Sequence, residues 1–367
     1  MHFVISREAL LRPLQMVSGV VERRQTLPAL SNVLLVLNDS ELSLTGTDLE
    51  VELVGRVQVD QANTAGEITV PARKILDICK SLTDGSTIEV KLIDSKLVLK
   101  SGRSRLTLTT LPASEFPSVE EEPDTFSLGI TQAKLRELLD STSFAMAQQD
   151  VRYYLNGMLF EVGAEYLRVV ATDGHRLAME TVNMANSISE TQQLILPRKG
   201  VVELARLLSD EGGSIDLTFG QNHIRAAIPE YTFTSKLVDG KFPDYNRVLP
   251  KGGDKVLTGD CQELRQAFAR AAILSNEKYR GVRIILSSGE LKILANNPEQ
   301  EEAEEVVSVE YQGDAVEIGF NVSYLIDVLS TIASKKVKIT LSDPDSSALL
   351  EAGEGSDALY VVMPMRL

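Results

Sequence analysis

Apolar positions along the first hundred residues switch period in a fixed order. "HFVI" alternates and reads as a strand, and "REALLRPLQMVSGVV" then sets Leu10, Leu14, Val17 and Val21 on one helical face. Pro13 falls inside that helix and is expected to kink or locally open it. "NVLLVLN", "ELSLTG" and "VELVGRVQV" return to alternating or β-branched-rich strands. The order restarts with strand "GEITV" and a helix opening on Pro71, since proline is tolerated at a first helical position. "TIEVKLI", "KLVLKS" and "RLTLTTL" complete the second round. The unit is βαβββ, predicted twice per repeat and six times along the chain. Short antiparallel strands outnumber helices, which predicts an α+β fold with sheets on one side and helices on the other.

The pattern repeats at long range. "VPARKILDICKSL" (Val70–Leu82) aligns without a gap on "LPRKGVVELARLL" (Leu196–Leu208), 126 residues on, and "FNVSYLIDVLSTI" (Phe320–Ile332) follows 124 later. Thr47-Asp48, Thr172-Asp173 and Asn296-Asn297 each end an alternating run, at offsets of 125 and then 124. "EFPSV" and "KFPDY" lie 126 apart. Three weak matches in one order at one period predict three domains, near 1–122, 123–250 and 251–367. The expected boundaries are the linker-like "SVEEEPDTF" and "LPKGGDK".

At 367 residues with 43% hydrophobic and 24% charged positions, the composition is that of a globular protein with more than one core. No apolar run reaches membrane-spanning length, and "MHFVISREALL" lacks the shape of a secretory signal, so a cytoplasmic location is expected. Cys79 and Cys261 stand alone, without metal-ligand spacing, and neither a metal nor a cofactor is expected. The net charge of −15 speaks against nucleic acid only as a sum, because one surface can be basic while another is acidic. The helical segments and their flanks do carry cations, among them Arg7, Arg12, Arg24, Arg73, Lys199, Arg206 and Arg270. The acids gather in "VEEEPD" and "NNPEQEEAEEV". Helices that simply solvate with Lys and Arg would look the same.

"ATDGHRLA" (Ala171–Ala178) is where an active site would be sought, since Asp173 could orient His175 as a base. No GxSxG, phosphate loop or metal cluster accompanies it. The same corner recurs at Thr47-Asp48 and Asn296-Asn297 without a histidine, which favours a structural turn and no catalytic residue.

Repeats, helix charges and motifs together resemble the β subunit of bacterial DNA polymerase III, the DNA sliding clamp. The resemblance runs the whole length, through "LTGTDLEVEL", "PARKILDIC", "SGRSRLTL", "QQDVRYYLNGMLFE", "VATDGHRLA", "TSKLVDGKFPDYNRVLP", "AFARAAILSNEKYRGVR", "NNPEQEEAEE" and "GFNVSY" to the terminal "VVMPMRL". It implies the DNA-clamp fold and a homodimer closing a six-domain ring, helices inward and sheets outward, around double-stranded DNA without sequence preference. It further implies a processivity factor with no catalysis of its own. The implied partners are the replicative polymerase α subunit, the clamp-loader complex, and other DNA polymerases and repair proteins, through short peptides.

Residue by residue, the resemblance implies DNA contact for Arg24, Arg73, Gln149, Tyr153 and Tyr154. Without the resemblance, packing at a strand start is the favoured reading of the tyrosine pair. Subunit contact is implied for Arg103, Arg105 and Leu108 at one end, and for Ile273, Leu274, Glu299, Glu301, Glu302 and Glu304 at the other. Unlike ends suit a head-to-tail interface, although a bare acidic run is more often solvated surface. A partner-peptide cleft is implied for Leu155, Thr172, Gly174, His175, Arg176, Leu177, Pro243, Arg247, Val248, Tyr279, Asn321 and Tyr324. The tail Val361, Val362, Met363, Pro364, Met365, Arg366 and Leu367 would form one wall, with Arg176 and Arg247 near the rim.

Overall fold

The computed structural model describes residues 1–22, 27–117, 123–186, 188–353 and 356–366, so the sequence boundary near 122 falls outside the described residues. Among those described, the βαβββ order recurs six times. The first is β1 (His2–Ser6), α1 (Arg7–Val20), β2 (Asn32–Asn38), β3 (Glu41–Thr47) and β4 (Val51–Gln58). After a short added strand, β5 (Gln61–Thr64), come β6 (Gly66–Pro71), α2 (Ala72–Ser81), β7 (Thr87–Ile93), β8 (Lys96–Ser101) and β9 (Ser104–Thr109).

The middle third gives β10 (Phe126–Thr131), α3 (Gln132–Thr142), β11 (Gly157–Gly163), β12 (Tyr166–Thr172) and β13 (Arg176–Asn183). It continues with β14 (Gln192–Pro197), α4 (Arg198–Leu207), β15 (Ser214–Phe219), β16 (His223–Ile228) and β17 (Tyr231–Lys236). The last third gives β18 (Lys255–Asp260), α5 (Cys261–Ile273), β19 (Gly281–Ser287), β20 (Glu290–Asn296) and β21 (Glu302–Ser308). Then come β22 (Val316–Asn321), α6 (Val322–Thr331), β23 (Lys336–Leu341), β24 (Ala348–Ala352) and β25 (Leu359–Val362).

Two local expectations are corrected: Val21 lies beyond the end of α1, and Pro71 lies before the start of α2. Helix α1 starts on a Ser6 cap, whose hydroxyl accepts from the Ala9 amide at 3.3 Å, and runs through Pro13 without a break. Its buried face is Leu10, Pro13, Leu14, Val17 and Val20, while Val21 is the cap beyond its end. The proline ring finds room over β4 because Gly55 has no side chain, where a Cβ would stand 3.1 Å from Pro13 Cβ. Pro71 ends β6 and flanks α2 as its cap, one residue before the helix begins.

Strand pairing follows a rule that periodicity cannot reveal. In every repeat the opening strand of each half joins the sheet of the other half, as in β1 with β7 and β6 with β2. The same holds for β10 with β15, β14 with β11, β18 with β23 and β22 with β19. Three sequence repeats therefore pack as two units. One unit comprises Met1–Arg136 with Lys199–Leu237, and the other Glu137–Arg198 with Val238–Leu367.

The first unit holds the sheets β5-β1-β7-β8-β9 and β10-β15-β16-β17-β4-β3-β2-β6, with α1 packed on α2. The second holds β14-β11-β12-β13-β25-β24-β23-β18 and β21-β20-β19-β22, with α5 packed on α6. Each eight-stranded sheet is thus a composite of two repeats, joined at β4–β17 in one unit and at β13–β25 in the other. The cysteines are buried thiols without a disulfide, and burial pushes Cys79 up to about 12.

Candidate functional site

The corner after β12 is a turn that its own side chains hold. Thr172 Oγ1 donates to the Arg176 carbonyl at 2.6 Å and accepts from the Gly174 amide at 3.1 Å. Asp173 Oδ1 accepts from the amides of His175 at 2.9 Å and Arg176 at 3.0 Å. Gly174 sits at φ +88°, where a Cβ would meet the Arg152 guanidinium at 3.1 Å. The first unit repeats the turn at Thr47–Val51, with Leu49 at φ +77° and Asp48 Oδ1 accepting from Glu50 and Val51. A geometry shared by two repeats belongs to the fold, so Asp173 is a turn former that also holds Arg176.

The turn opens onto an apolar cavity of about 200 Å³. Of the expected cleft residues, Leu155, Thr172, Gly174, Arg176, Leu177, Pro243, Val248, Val361 and Met363 line it. Arg152, Asp244 and Tyr245 line it as well and were missed, although "KFPDY" and "QQDVRYY" both carried a signal.

The remaining expected residues lie off the lining. His175 is exposed and stacks on Tyr324, ring centroids 6.2 Å apart. Tyr279 lies under Lys278, and Asn321 caps α6 by accepting from the Ser323 amide at 2.9 Å. Val362 is fully buried between β13 and β24. Pro364, Met365 and Arg366 continue the tail beyond the cavity, with the Met365 amide donating to the Gly319 carbonyl at 2.8 Å. Leu367 lies outside the described residues.

Arg176 is not a rim residue. Its side chain is 12% exposed, ion-paired with Asp173 and Asp327, and sandwiched between the rings of Phe144 and Tyr324 at 5.2 and 4.6 Å. A guanidinium held this fully acts as a fixed wall of the cavity. Arg247 is not among the residues lining this cavity; its side chain is 84% exposed and paired with Asp244 at 2.9 Å.

The floor is a core cluster of Leu159, Val170, Leu177, Met179, Ile195, Phe242, Tyr245 and Val361. Beneath it Glu161, 6% exposed, accepts from Tyr245 at 2.8 Å, Tyr166 at 3.0 Å and Gln193 at 2.7 Å. Burial pushes the Tyr245 hydroxyl upward, so it stays a neutral donor at working pH. Glu161→Ala strands these donors and should destabilise the protein by about 2–4 kcal/mol. Urea unfolding is the check, with Glu161→Gln expected to lose less.

Three of the expected DNA contacts are exposed. Arg73 stands on α2 with Asp77 at 3.9 Å, Gln149 is exposed at φ +56°, and Tyr153 is 58% exposed. Tyr154 packs partly against the cleft core, edge-on to Tyr153 at 5.8 Å. Arg24 lies outside the described residues. Charge counted along the helices overstates the free cations. Arg7 is bound by Asp84 at 2.7 Å, Arg206 by Glu203 at 2.7 Å and Arg270 by Glu305 at 2.6 Å. Lys199 is shared between Glu22, Asp48 and the Val20 carbonyl.

β9 and β21 are each an edge strand of their own sheet. β9 and the turn before it carry exposed Arg105 and Arg103, neither with an ion-pair partner among the described residues. β21 and the turn before it carry exposed Glu299, Glu301, Glu302 and Glu304. Ile273 is 75% exposed at the end of α5, Leu274 is half-buried beside it, and Val306, not anticipated, is 53% exposed. Leu108, on β9, is 7% exposed.

Residues 1–120, 129–244 and 246–366 match the N-terminal, central and C-terminal domains of the DNA polymerase III beta subunit. The chain is 64% identical to the beta sliding clamp of Pseudomonas aeruginosa and 53% identical to that of Escherichia coli K12, over the full length of each. The crystal structure of the P. aeruginosa DNA polymerase III subunit beta is 63% identical and superposes with a TM-score of 0.96, both chains fully covered. A Bartonella birtlesii sliding clamp, solved bound to griselimycin, is 37% identical with a TM-score of 0.96, again over both whole chains.

Proposed function

The chain belongs to the DNA polymerase III beta subunit family, the bacterial sliding clamps, and from that premise we propose how its parts serve a replicative polymerase. It is a processivity factor, not an enzyme, and works on DNA with the polymerase. Two copies close head to tail into a ring around the duplex, in the cytoplasm. The polymerase α subunit, the clamp loader, and other polymerases and repair proteins dock short peptides in the cavity beside Thr172. An enclosing ring needs no tight grip, so a weak phosphate-facing lining from Arg24, Arg73 and Gln149, with Tyr153 and Tyr154 at exposed bases, leaves it free to slide.

The observation that carries the ring is the repeated strand joint. β4 meets β17 with Val51 opposite Ser235, and β13 meets β25 with Arg176 opposite Val362. The third copy of that joint has one half on β21 and the other on β9, each an edge strand of its sheet. The turns that pair Thr47 with Glu52 and Thr172 with Leu177 pair Asn296 with Glu302, which aligns Glu301 with Val51 and Arg176. Leu108, buried like Ser235 and Val362, aligns with them. Continuing the antiparallel register sets Arg105 against the partner's Glu304 and Arg103 beside the partner's Val306. A basic edge then meets an acidic one, so mismatched pairings are penalised.

Loading onto nicked circular DNA tests the reading. The loaded protein should remain at salt that strips ordinary phosphate contacts and leave when the circle is cut. Arg24→Ala with Arg73→Ala should weaken loading and direct contact while the dimer persists. Equal retention on circular and linear DNA would rule out enclosure.

A further inference from the structure

The segment "LPKGGDK" (Leu249–Lys255) reads in sequence as a linker, and the cleft as described does not use it. In the structure it walls a second cavity of about 170 Å³, whose far side is the end of β23 and the turn into β24. The wall has a specific build. Gly252 sits at φ +76°, and a Cβ on Gly253 would come within 2.6 Å of Thr340 Cγ2 and 3.0 Å of the Leu341 carbonyl oxygen. Only glycine lets the loop lie this close to β23. Val248 lines both cavities and stands as the partition between them.

The two cavities differ in chemistry. The second is lined by Arg247, Lys251 and the hydroxyls of Thr340, Ser342 and Ser347, with no carboxylate in its lining. Arg247 is held by Asp244, but Lys251 has no ion-pair partner among the described residues. Of the nearby carboxylates, Asp254 pairs with Lys255 at 2.9 Å and Asp345 with Arg366 at 3.6 Å, while Asp343 accepts at 2.6 Å from Ser346, a residue of the lining. An unpaired cation beside hydroxyl donors in a concavity favours an anionic group of side-chain size.

We propose that this cavity extends the peptide cleft and seats an acidic side chain, Asp or Glu, of the same docked peptide. That side chain lies within a few residues of the apolar anchor held on the other side of Val248. The inference rests on the cleft reading, and the occupant follows from continuity across Val248 and from charge complementarity at Lys251.

The probe is a labelled dodecapeptide from the clamp-binding segment of the replicative polymerase. Its variants carry Glu or Gln at each of the positions flanking the apolar anchor. Fluorescence polarisation should find a position where Glu binds roughly three- to tenfold tighter than Gln, with the advantage shrinking at high salt. Lys251→Ala should erase that preference and Lys251→Glu invert it, with a Lys-bearing peptide gaining instead. The Gln peptide should keep its affinity throughout, because the apolar seat is untouched, and this also controls for folding. The extension is overturned if no position discriminates, or if discrimination survives in both Lys251 variants. A chain that binds none of these peptides overturns the cleft itself, and the extension with it.

Discussion

With Ile273 and Leu274 both replaced by aspartate, the protein should run in light scattering as a folded monomer of 40.2 kDa, half the mass of the unmodified assembly. Ile273 is 75% exposed and Leu274 half-buried, neither belonging to the fully buried core, so the fold should survive the change at some cost from Leu274. At the interface it would bury two carboxylates without partners, each costing several kcal/mol, and association should weaken by a factor of about a thousand or more. The strand edges allow a finer test. Arg105→Glu should weaken the dimer, and adding Glu304→Arg to the same chain should restore much of it, because every joint then carries the swapped pair. A stable monomer from the unmodified chain would end the ring reading, and a persistent dimer of the aspartate variant would move the contact elsewhere.

Deleting Met363–Leu367 should abolish peptide binding while leaving the dimer in place. Met363 is a wall of the cavity, and without it the apolar seat lies open along one side. The strand before it, β25, keeps Val361 and Val362 buried and paired, so the core survives. Two backbone bonds are lost, from Met363 to the His175 carbonyl at 2.9 Å and from Met365 to the Gly319 carbonyl at 2.8 Å. At about 1 kcal/mol each they should lower the melting temperature by only a few degrees. Polarisation with a labelled polymerase-derived peptide should show affinity down at least a hundredfold. His175→Ala should lose only about two- to fivefold, the worth of one exposed ring stack. Unchanged affinity in the truncated protein would place the cleft elsewhere.

Alternation read the first two βαβββ runs and the long-range repeat extended them to six, although β11 is buried on both faces and does not alternate. Alternation was silent on β5, whose "QANT" is polar throughout and exposed. It was also silent on the exchange of opening strands between halves, since period 2 says which face is buried and nothing about which neighbour it meets. The corner at Asp173 could be read as a turn because the same corner occurs elsewhere without a histidine. Tyr245 and Arg152 escaped for the opposite reason. Each reaches the cavity by tertiary approach, Tyr245 from a segment some 70 residues after the β12 corner. Charge counting failed wherever a cation had an acid from another element beside it, as Arg270 has in Glu305.

The composite sheets also set a timetable for synthesis. β13 is complete at Asn183, yet the strand that covers its outer edge begins at Leu359, near the C-terminus. At ~5–20 residues per second, the intervening stretch of roughly 175 residues takes about 10–35 s to emerge from the ribosome. β4 waits about as long for β17. Throughout that interval each nascent chain presents an unpaired strand flanked by finished ones, the form most open to pairing with a neighbouring chain. A premature stop between Asn183 and Leu359 would leave the β13 edge permanently bare, so such truncated products should be cleared or aggregate rather than persist as partial clamps.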